Sequence, residues 1–334
     1  MRIPRFLSYS GFALYEKDRE EFFTRYLADR RPARVPQERP AAAGSAFDAY
    51  VKSALHSSLF GSGADPQFEF DAIFTSQVEE HNRDWARVAG HNIFEQYVYA
   101  GGYQDLLGLL QKAVGTPRFE FTVEGLLNET VPFLGKPDLR FIWNGGEGPV
   151  HIVHDFKVNG YCSNSATSPS KHYMLCRDGW QAGRAKPTRG GGREHPCFVK
   201  HSINGLTIDR GWMEHANDEW ADQLSIYGWL LGEEPGDENV VLSIDQLVAK
   251  PADPPLMRVA QFRARVSGRR QIDLLGRITL AWKAISTGHI FTELSREAND
   301  ERCRQLEEQC VSLASDGSVH ENFFNECVRP AYRG

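Results

Sequence analysis

The chain lacks what several classes of protein require. No apolar run approaches the ~20 residues of a membrane span, so no membrane partner is expected. The opening Met1-Arg2-Ile3-Pro4-Arg5-Phe6-Leu7 has no signal-peptide core and passes straight into a helical pattern, which points to the cytoplasm. Six cysteines are scattered without paired spacing, so reduced thiols are expected in place of a disulfide frame. An excess of positive charge is missing too: 38 Lys and Arg stand against 44 Asp and Glu, a formal −6. That excludes a generally basic surface, and any nucleic-acid contact must use a local basic groove. Internal repeats and low-complexity segments are absent.

What is present is globular. The chain is 41% apolar and 25% charged over 334 residues, enough for one large domain or two ordinary ones. Its most informative stretch runs from Gly135 to Asn159. Leu139-Arg140-Phe141-Ile142-Trp143 and His151-Ile152-Val153-His154-Asp155-Phe156-Lys157-Val158 are strand-type runs. They flank Asn144-Gly145-Gly146-Glu147-Gly148-Pro149, a dense set of turn formers, and together read as a β-hairpin. Residues two apart on a strand share a face, so Asp155 and Lys157 point one way and Phe156 the other. Asp138 stands where the first strand begins, and neighbouring strands are only about 5 Å apart. Two carboxylates and one ammonium can therefore meet in one small volume.

That trio suits phosphoryl chemistry. Two carboxylates can hold Mg²⁺ or Mn²⁺, which prefer oxygen ligands. A metal-bound water is a usable nucleophile, and a neighbouring lysine can orient it or neutralise phosphate charge. An Asp/Lys ion pair on a solvated hairpin fits the same residues.

Pro137-Asp138 followed by Asp155-Phe156-Lys157 resembles the signature of the PD-(D/E)XK nucleases. Gln223-Leu224-Ser225-Ile226-Tyr227 resembles the Gln-x-x-x-Tyr motif of their RecB-like branch, which includes CRISPR-associated exonucleases. Gly44-Ser45-Ala46-Phe47-Asp48 resembles that branch's Gly-x-x-x-His helix motif, with Asp in place of His. The resemblance spans roughly residues 1 to 290. It implies a metal-dependent deoxyribonuclease, probing DNA ends or single strands as an exonuclease in recombination, repair or phage DNA processing. In the phage case the location is the host cytoplasm. It further implies that Asp138, Asp155, the Phe156 carbonyl and Asp48 ligate Mg²⁺ or Mn²⁺. Lys157 would orient or activate the attacking water, and Gln223 with Tyr227 would hold the strand. A helicase or recombination protein is an expected partner, since the chain has no helicase motif. Some members of the branch carry an iron–sulfur cluster near the opening helix. This chain has Tyr15 there and no nearby cysteine, so no cluster is expected.

The remaining segments frame that core. Ser8 or Ser10 can cap a helix through Phe12, Tyr15, Phe22, Phe23, Tyr26 and Leu27. Residues 29–43, rich in Arg and Pro, read as an extended connector, either solvated or touching phosphate. A helix from about Gly44 carries Phe47, Val51 and Leu55 on its buried side. Residues 71–114 read as helical, broken at Gly90 and Gly101-Gly102, with Trp85, Val88, Phe94, Tyr97 and Val98 as core. Residues 118–124 alternate as a strand. Residues 160–210 form a long basic Gly-rich loop bearing Cys162, His172, Cys176, His195 and Cys197. It could close over a DNA backbone, or bind zinc and make this a zinc-stapled interaction protein. Helices are expected over 214–232 and 269–287, strands over 239–244 and 257–263, and a C-terminal helical tail over 295–334 with Cys303 and Cys310 on one seam.

The expected architecture is a single α/β domain over 1–334: a mixed central sheet of about five strands flanked by helices, with a helical insertion over 50–115. The competing function is a nuclease fold that binds nucleic acid without cutting it.

Overall fold

The computed structural model describes residues 1–162, 174–176, 179–181, 200–250 and 253–317. Its frame is a five-stranded mixed sheet of β1 (Ala113–Phe119), β2 (Leu139–Asn144), β3 (Pro149–Asn159), β4 (Val240–Lys250) and β5 (Leu256–Ala264). Across the sheet the order is β5-β4-β3-β2-β1. The expected hairpin is present: β2 and β3 pair antiparallel from Leu139 opposite His154 to Asn144 opposite Pro149. β3 and β4 run parallel, an arrangement that needs a long crossover. A second, three-stranded sheet joins Leu7–Ser8, Val131–Gly135 and Val123–Leu127.

The helices that matter for the site are α1 (Tyr9–Lys17), α2 (Arg39–Phe60), α3 (Arg83–Tyr99), α4 (Asp218–Leu230), α5 (Gly268–Thr287) and α6 (Arg296–Asp316). They cover the sheet on both faces, which is why β3 and β4 read as nearly continuous apolar runs. On one face Val153, Leu242, Ile244 and Phe262 pack with Leu224 and Tyr227 of α4 and Leu274 and Ile278 of α5. On the other, Phe141, Ile152, Phe156 and Val241 pack with Phe47 and Val51 of α2 and Ile93 and Tyr97 of α3. Cys303 and Cys310 of α6 face the first of these cores, as their seven-residue spacing suggests.

Several expectations need correction. The connector ends earlier than residue 43, because α2 starts at Arg39 with Pro40 in its first turn, where a missing N–H costs nothing. Gly90 does not break a helix. It lies inside α3, where an added Cβ would meet Ala46 Cβ at 2.5 Å, so glycine permits close crossing of α2 and α3. Val88, expected in the core, is 71% exposed, and on α5 Ile272 is 70% exposed. The buried stripes run instead through Ala86, Ala89, Ile93 and Tyr97 on α3, and through Leu274, Ile278 and Ile285 on α5. The strand expected over 118–124 is interrupted by Glu120, whose φ of 37° sends the chain from the central sheet into the smaller one. The basic stretch closes in a hairpin of Lys200–Ile203 with Leu206–Asp209. Its residues 163–173, 177–178 and 182–199, with the zinc and DNA-closure readings placed on them, lie outside the described residues.

Candidate active site

β3 runs past the end of its neighbour. The last pair of the hairpin is Leu139 with His154, so Asp155, Phe156 and Lys157 have no partner on β2. Asp138, the residue before β2, turns into that gap, and its Oδ2 accepts from the Phe156 N–H at 3.0 Å. A strand residue's N–H and C=O leave the same edge, so the Phe156 carbonyl faces the Asp138 side as well. The Phe156 ring is held in the apolar layer by Phe47 and Tyr97, with ring centroids 5.7 and 6.2 Å away. Alternation then commits Asp155 and Lys157 to the opposite face, where α4 lies.

On that face a polar chain forms. Lys157 pairs with Asp155 and donates to Gln223 Oε1 at 3.0 Å. Gln223 Nε2 donates to the Tyr227 hydroxyl at 3.0 Å. The four-residue spacing puts Gln223 and Tyr227 on one face of α4, and Asn217 fixes the start of that helix by accepting from the Trp220 N–H at 3.0 Å. Because Tyr227 takes the amide nitrogen, the amide oxygen is turned toward Lys157. Burial works against the charge of Lys157, but Asp155 outweighs it and holds the ammonium above its usual range. Asp155 is 4% exposed. Burial, then the neighbouring Asp138, push its carboxyl well above the ordinary value, and the two side chains share a hydrogen bond. Burial also acts to raise Asp138. The Lys52 ammonium, with hydrogen bonds from Asp155 and Phe156, overrides it and holds Asp138 well below the usual range.

Sequence reasoning missed Lys52. It lies on α2 one turn after Asp48 and is 1% exposed. Its Nζ pairs with Asp48, with Glu120 Oε2 at 3.0 Å and with Asp138 Oδ1 at 2.8 Å. Burial disfavours its charge, but Asp138, Asp48 and Glu120 together keep it well above its ordinary pKa. Glu120 also receives Lys136, while Gln77 Nε2 donates to both its oxygens at 2.7 Å. Asp48 therefore meets Asp138 through Lys52. Burial and then Asp138 push the Asp48 carboxyl up to about 7. A signal for Lys52 existed in its spacing from Asp48. Glu120 gave none, because it reads as one more residue of an alternating strand.

Asp138, Asp155, Lys157, Gln223 and Tyr227 are thus gathered at one end of β3, with the Phe156 backbone beside them and Asp48 one ammonium away. Among the described residues no group of three or more His, Cys, Asp or Glu side chains could hold a metal ion. Mg²⁺ and Mn²⁺ do not require such a set, since one or two carboxylates with several waters suffice. Asp138, Asp155 and the Phe156 carbonyl match that demand in number and in hard oxygen character. Among the described residues, the carboxyl groups of Asp48, Glu120, Asp138 and Asp155 are paired with the ammonium groups of Lys52, Lys136 and Lys157.

No family model matches the chain, and no curated protein matches it. Among solved structures it is similar to the crystal structure of a "Putative exonuclease" from Eubacterium rectale. The two are 13% identical, with 87% of this chain and 83% of that chain covered and a TM-score of 0.38. At that level the likeness carries no weight for function, which rests on the site's own geometry. No helix among the described residues is long and apolar enough to cross a membrane.

Proposed function

We propose that the chain is a metal-dependent nuclease that hydrolyses phosphodiester bonds, with DNA as its substrate. The observation that carries this reading is the polar chain at the end of β3: Asp138 and Asp155 side by side, Lys157 on Asp155, and Gln223 fixing Lys157 with Tyr227 behind it. An ion pair on a solvated hairpin would be open to water and would need neither the glutamine nor the tyrosine.

A divalent ion held by Asp138, Asp155 and the Phe156 carbonyl would supply Lewis acidity to a phosphoryl oxygen and lower the pKa of a bound water. The chain's own residues do the rest. In the metal-free chain Asp155 holds Lys157 protonated, so it enters the site as a hydrogen-bond donor and a positive charge. Gln223 and Asp155 each take part of its donor capacity and aim what is left at the attacking water or a non-bridging phosphate oxygen. The water oxygen forms the new bond to phosphorus as the bond to the leaving ester oxygen breaks; the water's proton passes to solvent, and the leaving oxygen takes one up from solvent. Tyr227 keeps the Gln223 amide from flipping, which would present an NH₂ group to the ammonium. The branch resembled in sequence favours an exonuclease working in recombination, repair or phage DNA processing with a helicase or recombination partner.

The test uses 5′- and 3′-labelled single- and double-stranded DNA with Mg²⁺, Mn²⁺ or EDTA, beside Lys157→Ala. Cutting that needs the metal and disappears in the variant is the expected result, and the label pattern sets the polarity. Binding without cutting on every substrate overturns the enzyme and leaves a nucleic-acid-binding module.

A further inference from the structure

Lys52 is a cation built into the middle of the acidic centre. Its ammonium is enclosed, and three carboxylates from three separate parts of the chain converge on it: Asp48 from α2, Glu120 from the turn after β1, and Asp138 from the start of β2. Two-metal phosphoryl-transfer sites place their ions about 4 Å apart, flanking the reacting phosphate. Asp138 stands where a carboxylate shared by two cations would stand. One of its oxygens is 2.8 Å from Lys52 Nζ, and the other accepts from the N–H of Phe156, the residue after Asp155, at 3.0 Å.

We propose that Lys52 takes the place of a second metal ion, so that the centre accepts one divalent cation, on the Asp138–Asp155 side, and Asp48 serves as a ligand to the ammonium. This rests on the nuclease reading for the identity of the first ion. The same inference accounts for the departure of the helix motif from its pattern. An aspartate at position 48 supplies the negative charge that an ammonium four residues later requires, which a neutral imidazole would not. Lys52 differs from a metal in carrying one charge, in binding no water and in being permanently attached. It compensates Asp138 without competing for the substrate phosphate, and it leaves activation of water to the other half of the site.

The experiment is titration of the full chain with Mn²⁺, followed by calorimetry and by the electron paramagnetic resonance signal of free ion, for wild type, Lys52→Met and Lys52→Met/Glu120→Gln. The double variant removes one negative charge with the ammonium and keeps the test open if Lys52→Met does not fold. Wild type is expected to bind one ion, and the variants two. Adding Asp155→Asn should remove the ion from wild type and leave one in Lys52→Met. Two ions in wild type, or one in both wild type and the folded variants, would overturn the role of Lys52 while leaving a metal nuclease standing. No ion in wild type but one in Lys52→Met would uphold Lys52 as the resident cation and sink the nuclease reading. No ion in any form would sink both.

Discussion

Two lysines, one paired with Asp138 and the other with Asp155, are used in opposite ways. Lys52 is 1% exposed and wrapped by three carboxylates, whereas the Lys157 side chain is 25% exposed and has one carboxylate and one amide. Each is held charged by its neighbours. The enclosed one has every donor spoken for and can reach nothing outside the protein. The open one has donor capacity left and a path to solvent. Neither residue type nor charge separates a reacting lysine from a structural one here; the number of carboxylates and the access do. Breaking a buried ion pair by removing one partner costs about 3–5 kcal/mol, and a partly open pair contributes far less. The two halves of the site should therefore respond to substitution in different observables.

The largest effect expected is on the open half. Lys157→Ala should lower metal-dependent DNA cleavage by about 10³-fold or more, the scale of losing a placed electrostatic group, with thermal midpoint nearly unchanged. Asp155→Asn should remove cleavage as well, yet keep or raise stability, because it relieves the repulsion that pushes the Asp155 carboxyl up beside Asp138. Cleavage assays paired with thermal melts check both. A Lys157→Ala protein that unfolds would erase the distinction between the two lysines.

On the enclosed half the loss should appear in folding. Lys52→Met leaves Asp48, Glu120 and Asp138 without their shared cation and is expected to lower unfolding free energy by about 3–5 kcal/mol, read from urea titration without added metal. A shift under 1 kcal/mol would show that solvent reaches the cage and that the lysines are alike. Smaller again is Gln223→Ala. It frees one donor of Lys157 without removing any charge, and about a tenfold fall in kcat with KM little changed is expected. A change in KM alone would assign Gln223 to substrate binding instead.

The same contrast explains what could be read from sequence. The hairpin and the open half depend on local rules: strand alternation places Asp155 and Lys157 together, a turn-former run sets the pairing, and a four-residue helical spacing aligns Gln223 with Tyr227. Four of the five strands and most helices followed from periodicity in the same way, whereas β1 shares only residues 118 and 119 with the strand expected over 118–124. The enclosed half depends on long-range closure. Lys52, Glu120 and Asp138 are far apart in the chain and come together where α2 packs on the sheet and where Glu120 adopts a left-handed backbone at the exit from β1. Neither device has a periodic signature. Val88 was misjudged for a related reason, since an apolar residue one step off the buried stripe looks the same in sequence as one on it.

The smallest effect concerns pH and separates the acids of the Lys52 cage from one another. Glu120 and Asp138 have folded values below their ordinary 4.5 and 3.8. They contribute stability that is present above those ordinary values and lost as pH falls through the depressed folded ones. Asp48 works in the other direction. Its folded value is raised from 3.8 to about 7, so the folded state gains a proton first and stability rises as pH falls from about 7 toward 4. The wild-type protein should therefore be most stable near pH 4 to 4.5, with a decline toward pH 7 that levels off above it and a steep one in acid. Asp48→Asn should flatten the decline between pH 4.5 and 7 while leaving the acid limb in place, measured by urea unfolding at fixed ionic strength across pH 3–8. An unchanged slope in the variant would mean that Lys52 holds Asp48 ionised throughout, and the cage would then be fully charge-paired on that side.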